Sequence, residues 1–223
     1  MSISEVLDKA WELTKKYGLI LAVIYLVFSL IYEGISLCGL PSGYWEAVMS
    51  QDAAAIERMS NESGFSPLTP VLWIFAFVFS AGFMNMILLV AKGETSSPSF
   101  SAFKMEVMTY LKFLAIEIIT GLVIVVGFVC LIVPGLYLAA RLMFAPLYIL
   151  ENPNVGIGDA ISASWKMTEG NVLVLIGLGI ISIFIAILGL LACCIGMYYT
   201  IVIAYFCEIV AYLMLKENLK TVE

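Results

Sequence analysis

Long runs of apolar residues constrain the fold of this chain more than any other feature, because such runs leave little polar surface to face water. Apolar side chains make up 62% of the 223 residues and charged side chains only 13%, whereas soluble domains average roughly 45–50% and about 25%. A helix needs about 20 apolar residues to cross the hydrocarbon core of a bilayer. The sequence therefore predicts an all-α integral membrane protein with a single transmembrane domain over residues 1–223.

Six apolar segments reach or approach the length of a membrane span. Glycine and proline interrupt the longer runs and mark where one span ends and the next begins, so we expect tight outer turns at Pro134 and Cys193. The first run is long enough to remain as an anchor, and we expect no cleaved signal peptide. We place the spans at residues 18–37, 70–91, 111–133, 135–150, 171–192 and 194–215.

Positive charges lie almost entirely on one side of these spans. The other side carries only Arg58, within an outer loop over residues 38–69. Because lysine and arginine concentrate in cytoplasmic loops, we expect both termini in the cytoplasm and the chain in a bacterial inner membrane. The lysines on the predicted cytoplasmic side are Lys9, Lys15, Lys16, Lys92, Lys104, Lys112, Lys166, Lys216 and Lys220.

The outer loop carries apolar residues at helical spacing between Trp45 and Met59, after a polar Ser42. Spacing of this kind is typical of an amphipathic helix at a membrane surface. It predicts one helix that lies against the outer headgroups or over the mouth of the bundle.

A short amphipathic segment before the first span recurs before the fifth. Residues 3–14, ISEVLDKAWELT, align without gaps with residues 157–168, IGDAISASWKMT. A third segment, matching in pattern only, begins at Ser97-Pro98. We therefore predict three hairpins, each preceded by a cytoplasmic amphipathic interfacial helix; the alternative is that such helices commonly precede spans without any duplication. The aligned pairs include Trp11 with Trp165 and Thr14 with Thr168.

Four polar residues lie at a similar depth inside the predicted spans, and each needs a reason to be there because ionisable groups are costly in a bilayer. They are Asn85, Glu117, Arg141 and Glu208, all roughly 9–14 Å from the cytoplasmic edge. One interpretation is a structural ion pair between Arg141 and either glutamate. The other is a polar pocket in which Arg141 meets an anionic headgroup or a carboxylate substrate and a glutamate carries a proton.

The sequence offers little for catalysis. It contains no histidine, which removes most acid–base, triad and zinc chemistry, and no glycine-rich phosphate loop. We expect no enzyme activity, metal, cofactor or nucleic-acid partner. The five cysteines show no CxxC spacing, so free thiols are favoured, and a pairing of Cys193 or Cys194 with Cys38 stays open.

The segment over residues 134–171 resembles a bacterial six-helix membrane protein family of unknown function that is related to the membrane domain of glycerophosphodiester phosphodiesterases. The resemblance implies a six-span layout and, through that relation only, a lipid-linked role; phosphodiesterase chemistry belongs to a separate soluble domain and is not implied. The acidic loop over residues 38–69 departs from the family pattern. The matching residues are Pro134, Gly135, Arg141, Glu151, Asn152, Ala160, Ser164, Trp165, Gly170 and Asn171.

Glu151 ends the fourth span, where a carboxylate faces the negative end of its own helix. We therefore expect it to cap the next interfacial helix or to pair with Lys166.

Three functions agree with these features. The favoured one is a non-enzymatic membrane protein that organises membrane lipids, or partner proteins including copies of itself, through its interfacial helices. The first alternative is a transporter of a small anionic solute or lipid that uses the four-residue polar layer. The second is an accessory subunit of an envelope complex.

Overall fold

The structure is a computed structural model that describes residues 1–39, 43–63, 68–191 and 193–220. Within these ranges the chain is helical and has no strand. Six of its helical segments are long and apolar enough to cross a membrane. The predicted all-α, multi-pass membrane class is thereby confirmed, and several predicted boundaries change.

Ten α-helices and one 3₁₀ turn make up the described chain. In order they are α1 (Ile3–Cys38), α2 (Tyr44–Met49), α3 (Ala53–Ser63), α4 (Thr69–Ala91), the 3₁₀ turn (Phe100–Phe103), α5 (Val107–Cys130), α6 (Ile132–Leu142), α7 (Ala145–Glu151), α8 (Ile157–Met167), α9 (Val172–Leu191) and α10 (Cys193–Lys220).

The first amphipathic segment and the first span form one continuous helix. A capping box between Ser2 and Glu5 starts α1, because it satisfies backbone N–H groups that the first turn leaves without partners. With 36 residues, α1 is about 54 Å long and exceeds a hydrocarbon core of about 30 Å. Its early stripe of Val6, Ala10 and Thr14 is fully buried, so this segment packs on the bundle.

The segments aligned in the sequence bury equivalent residues. Thr14 donates its hydroxyl to the carbonyl of Ala10 at 2.7 Å, and Thr168 donates to the carbonyl of Ser164 at 2.9 Å. Both threonines are fully buried. The two aligned segments differ in that α8 ends at Met167, whereas α1 continues as a span.

The segment after Ser97-Pro98 does not form the predicted helix. Only a 3₁₀ turn is present, capped by Ser99, whose side chain accepts from the backbone of Ser101. Its Phe103 ring packs against Gly82 in α4, where a Cβ would come within 2.2 Å of the ring. The turn is therefore pressed against the side of α4, and this segment lacks the helix that was predicted for a middle copy.

The third and fourth spans meet at a turn that lies before Pro134. α5 ends at Cys130, Leu131 is extended, and α6 begins at Ile132. Pro134 therefore lies in the first turn of α6, where its missing N–H costs no hydrogen bond, and the predicted boundary was three residues late. A Cβ on Gly127 would lie 3.0 Å from the Cα of Gly135, so these glycines let α5 and α6 approach closely.

The fourth span is broken in the middle. α6 ends at Leu142 and α7 begins at Ala145 with Pro146 in its first turn. Proline there removes an N–H that a continuous helix would use and clashes with the preceding turn. The break frees backbone carbonyls midway along the span, and other side chains must satisfy them.

The predicted outer loop contains two helices instead of the one predicted. α2 and α3 are separated at Ser50–Asp52, where Gln51 has a φ of 55°. A non-glycine residue in this left-handed conformation interrupts helical hydrogen bonding. The side chains of Cys38, Cys193 and Cys194 are not among those that the structure describes, so the pairing left open by the sequence falls outside the described part of the chain.

Three long helices, α1, α4 and α9, pack against α10, whereas α5 packs mainly against α6 and α7. α1 and α4 run in opposite directions, since Tyr25 packs near Phe83 and Phe28 near Phe75. The C-terminal ends of α4, α7 and α10 meet where Glu151 pairs with Lys92 and Lys216. We call this end of the bundle the lysine end.

Candidate functional site

The four residues of the predicted polar layer separate into three environments. Asn85 donates a hydrogen bond to the 3₁₀ turn, and Arg141 donates one to the end of α8. Glu117 and Glu208 line one cavity. None of the ion pairs among the described residues joins Arg141 to either glutamate. The two glutamates are therefore the only part of the layer that the fold brings together.

Asn85 supports the 3₁₀ turn. Its side-chain amide donates to the carbonyl of Ala102 at 2.8 Å, and the hydroxyl of Tyr110 donates to the carbonyl of Phe103 at 2.8 Å. Irregular backbone beside a membrane span is tolerated only when its polar groups have partners. Asn85 therefore has a structural role.

Arg141 caps the C-terminal end of α8. Its Nη1 donates to the carbonyl of Trp165 at 2.8 Å and to the hydroxyl of Thr168 at 3.3 Å, while its Nε donates to the hydroxyl of Tyr137 at 3.0 Å. The last carbonyls of a helix lack partners within that helix and attract a positive charge. This buried arginine is thus engaged with the protein itself.

The contact between the broken span and α8 is reciprocal. The hydroxyl of Ser164 donates to the backbone carbonyl of Arg141 at 2.7 Å, which is one of the carbonyls left near the break before Pro146. The Trp165 ring covers the guanidinium, whose Cζ lies 4.6 Å from the ring centroid. We call the set of Arg141, Ser164, Trp165 and Thr168 the arginine lock.

Glu117 and Glu208 face a cavity of about 540 Å³ between α4, α5 and α10, which Ser80 and Tyr205 also line. Glu117 lies ten residues after Val107 and thirteen before Cys130, about 15 Å and about 20 Å along the helix. Glu208 lies similarly far from both ends of its span. The carboxylates are therefore near mid-membrane depth.

No hydrogen bond or ion pair of either carboxylate is found within the described part of the chain. Glu117 is exposed on the surface of the bundle, and Glu208 is partly exposed. An ionised carboxylate without a partner is very unfavourable in a low-dielectric setting, so it must take up a proton or meet a cation. The cavity thus has two acceptors for positive charge and no basic side chain among its lining residues. We call it the carboxylate cavity.

Glu151 joins three helices at the lysine end. It pairs with Lys92 at 3.0 Å and with Lys216, and it accepts a hydrogen bond from Tyr212. The predicted partner, Lys166, is exposed and forms none of the described ion pairs. Burial opposes the charge on Lys92, but hydrogen bonds with Glu94 and Glu151 outweigh it and raise the pKa of Lys92.

The other residues of the sequence motif shape helix ends. Asn152 donates to the carbonyl of Tyr148 at 3.1 Å, Gly170 has a φ of 73°, and the backbone carbonyl of Asn171 accepts the N–H of Leu175 at the start of α9. A positive φ strongly favours glycine. Most of the motif therefore fixes how the fourth span connects through α8 to α9.

Sequence reasoning missed Tyr205, Ser80 and the two lysine partners of Glu151. Tyr205 lies three residues before Glu208, a spacing that puts both on one helix face, and that signal was present in the sequence. Ser80 gave no such signal, because its place depends on how α4 faces α10.

Comparisons with protein-family models, curated proteins and solved structures find no match to this chain. The resemblance of residues 134–171 to the six-helix family stays a prediction, and function must be argued from the geometry.

Proposed function

We propose that this chain is a membrane transporter that binds a small positively charged solute in the carboxylate cavity. The observation that carries the proposal is the pair Glu117 and Glu208, which line one cavity without a partner in the described protein. Ionisable groups inside spans are functional candidates by default. Carboxylates accept hydrogen bonds and attract cations.

The proposed solute is a cation, whereas the transporter considered in the sequence analysis would carry a small anionic solute or lipid. That alternative relied on Arg141 to meet an anion, and Arg141 is already bonded to Trp165, Thr168 and Tyr137. An anion placed in the carboxylate cavity would meet two acids and no lysine or arginine. A cation or protonated amine is the complementary ligand.

Transport is favoured over simple binding by the position and the surroundings of the cavity. Transporter sites commonly lie near the bilayer midplane beside interrupted helices. Glu117 and Glu208 lie near the middle of their helices. Met143, at the break in the fourth span, lines a neighbouring space that shares Glu208 with the carboxylate cavity. A non-enzymatic protein with these features agrees with the absence of histidine from the sequence.

The organising role predicted from the sequence has less support. That role acts through the amphipathic segments, where Trp11 and Trp165 are exposed but the apolar stripes are largely buried. Val6 and Ala10 on α1 and Ala160 and Met167 on α8 are buried within the chain itself. Those faces hold the bundle together, so they offer little surface to a partner.

We further propose that the lysine end faces the cytoplasm of a bacterial inner membrane, because Lys92 and Lys216 meet there and positive charge favours that side. With the five native cysteines replaced by alanine, a cysteine at Glu217 should be shielded from an impermeant maleimide in intact cells. A cysteine at Arg58 should be labelled. The reverse pattern would invert the orientation.

Replacing Glu208 or Glu117 with glutamine should weaken binding of tetraphenylphosphonium, a membrane-compatible cation, by about ten- to a hundredfold. Opposite unit charges roughly 6–8 Å apart attract each other by about 2–3 kcal/mol at an effective dielectric constant of about 20, and each 1.4 kcal/mol is about tenfold. The measurement is equilibrium binding of the radiolabelled cation to protein in nanodiscs, followed by uptake into proteoliposomes.

Glu33→Gln is the matched control, because Glu33 also lies in a long helix but does not line the carboxylate cavity. It should bind the cation as the wild type does. Equal binding by the Glu117, Glu208 and Glu33 variants would remove the basis for this function.

A further inference from the structure

A second cavity adjoins the carboxylate cavity. It has a volume of about 380 Å³ and lies between α9 and α10, next to Met143 at the break in the fourth span. Its walls are mainly apolar and include Leu178, Ile201 and Ala204. We call it the α9–α10 groove.

Small residues open this groove along α9. A Cβ built on Gly179 has no heavy atom within 4 Å, and Ser182 and Ala186 continue the same side of the helix. Bulky residues of α9 such as Ile183 and Phe184 lie on its exposed surface, away from the groove. The groove therefore follows from small side chains where larger ones would fill the space.

The two cavities share the same two residues of α10. Tyr205 and Glu208 line both the α9–α10 groove and the carboxylate cavity. Glu208 thus borders both the apolar α9–α10 groove and the cavity that Glu117 lines. A single ligand beside Glu208 meets negative charge and apolar surface together.

We infer that the solute is an amphiphilic cation, with its positive group between Glu117 and Glu208 and its apolar body in the α9–α10 groove. This inference rests on the proposed function and adds the chemical class of the substrate. The volume of each cavity lies within the roughly 300–1,000 Å³ that is typical of small-molecule sites. The ligand is therefore a small aryl or alkyl ammonium-type compound. A two-chain phospholipid is the competing occupant.

An inorganic cation fits the observations less well. No group of three or more metal-ligating side chains is found among the described residues, and an inorganic ion makes no use of the apolar groove. Most of the binding surface for a larger organic cation comes from apolar walls, with a few polar groups that orient it.

The test fills the groove without touching a carboxylate. Gly179→Phe should reduce binding of tetraphenylphosphonium by about tenfold or more, since forcing atoms into an occupied space costs roughly 1–3 kcal/mol. Binding of tetramethylammonium, which has no bulky body, should change less than about twofold. Ala186→Phe is a second filling variant from the same wall. Gly34→Phe is the control, because Gly34 also has open space around it but lies outside both cavities.

The outcomes separate this inference from the proposed function. If Glu208→Gln weakens both probes but neither filling variant affects tetraphenylphosphonium, the amphiphile assignment is overturned and the cation site stands. If neither glutamine variant affects either probe, the proposed function fails. Displacement of tetraphenylphosphonium in proportion to the phosphatidylethanolamine content of the nanodisc would identify the occupant as a membrane lipid and overturn the small-amphiphile inference.

Discussion

Replacing Arg141 with methionine is expected to lower the free energy of unfolding by about 2–4 kcal/mol, the largest stability effect of any single change considered. The substitution removes the donors to Trp165 and Thr168 and leaves the carbonyl of Trp165 with only the hydroxyl of Thr168, at 3.2 Å. The free energy of unfolding of Arg141→Lys should lie between those of the wild type and Arg141→Met, because lysine keeps the charge but not the planar fork of donors. Reversible unfolding in mixed detergent micelles measures all three.

Arg58→Met is the matched control for this change. Arg58 is the only other arginine in the sequence; it is exposed and donates to the carbonyl of Ala54 within its own helix. Its replacement should alter the free energy of unfolding by less than about 0.5 kcal/mol. If Arg141→Met and Arg58→Met were equally stable, the arginine lock would not hold α8 to the broken span.

Glu151→Gln is expected to lower the free energy of unfolding by about 1.5–3 kcal/mol. The glutamine loses the charge that holds Lys92 and Lys216 beside each other, and it accepts more weakly from Tyr212. The same unfolding measurement applies. Because the contacts lie at the lysine end, hydrogen exchange should also rise in the last turns of α4 and α10.

Glu94→Gln removes a different partner of the same lysine and is the control. Glu94 is exposed and pairs with Lys92 outside the three-helix junction, and exposed ion pairs contribute about 0–1 kcal/mol. A loss of stability as large as that of Glu151→Gln would show that the position of Glu151 between three helices has no special value.

The membrane class could be read from the sequence because span length and apolar content depend only on local composition. Exact helix ends could not, since they depend on backbone geometry. Pro134 shows the difference: proline interrupts a helix in its interior but is tolerated in the first turn, and the turn at Leu131 has no glycine or proline to mark it.

The polar layer shows a second feature that could not be predicted from the sequence. Position along a span predicts depth, and Glu117 and Glu208 are both near the middle of their helices. It does not predict the direction in which a side chain points, because each residue turns by about 100° around the helix axis. Arg141 and Asn85 therefore lie at a similar predicted depth but donate hydrogen bonds to backbone carbonyls outside the carboxylate cavity.

The aligned segments at residues 3–14 and 157–168 could be predicted in part. Their shared burial of Thr14 and Thr168 follows from the same apolar stripe, which the sequence displays. Whether the segment continues as a span or ends before one depends on the turn that follows, and Gly170 with its positive φ is present only in the second.

The pairing of Glu117 and Glu208 around a cation is tested most directly by equilibrium binding of tetraphenylphosphonium to the wild type and to the Glu117→Gln/Glu208→Gln double variant, from about pH 5 to about pH 8. Protons compete with a cation for carboxylates, so the affinity of the wild type should fall as the pH falls. The double variant should bind weakly at every pH. Equal affinities that do not change with pH in either protein would contradict the carboxylate cavity as a cation site.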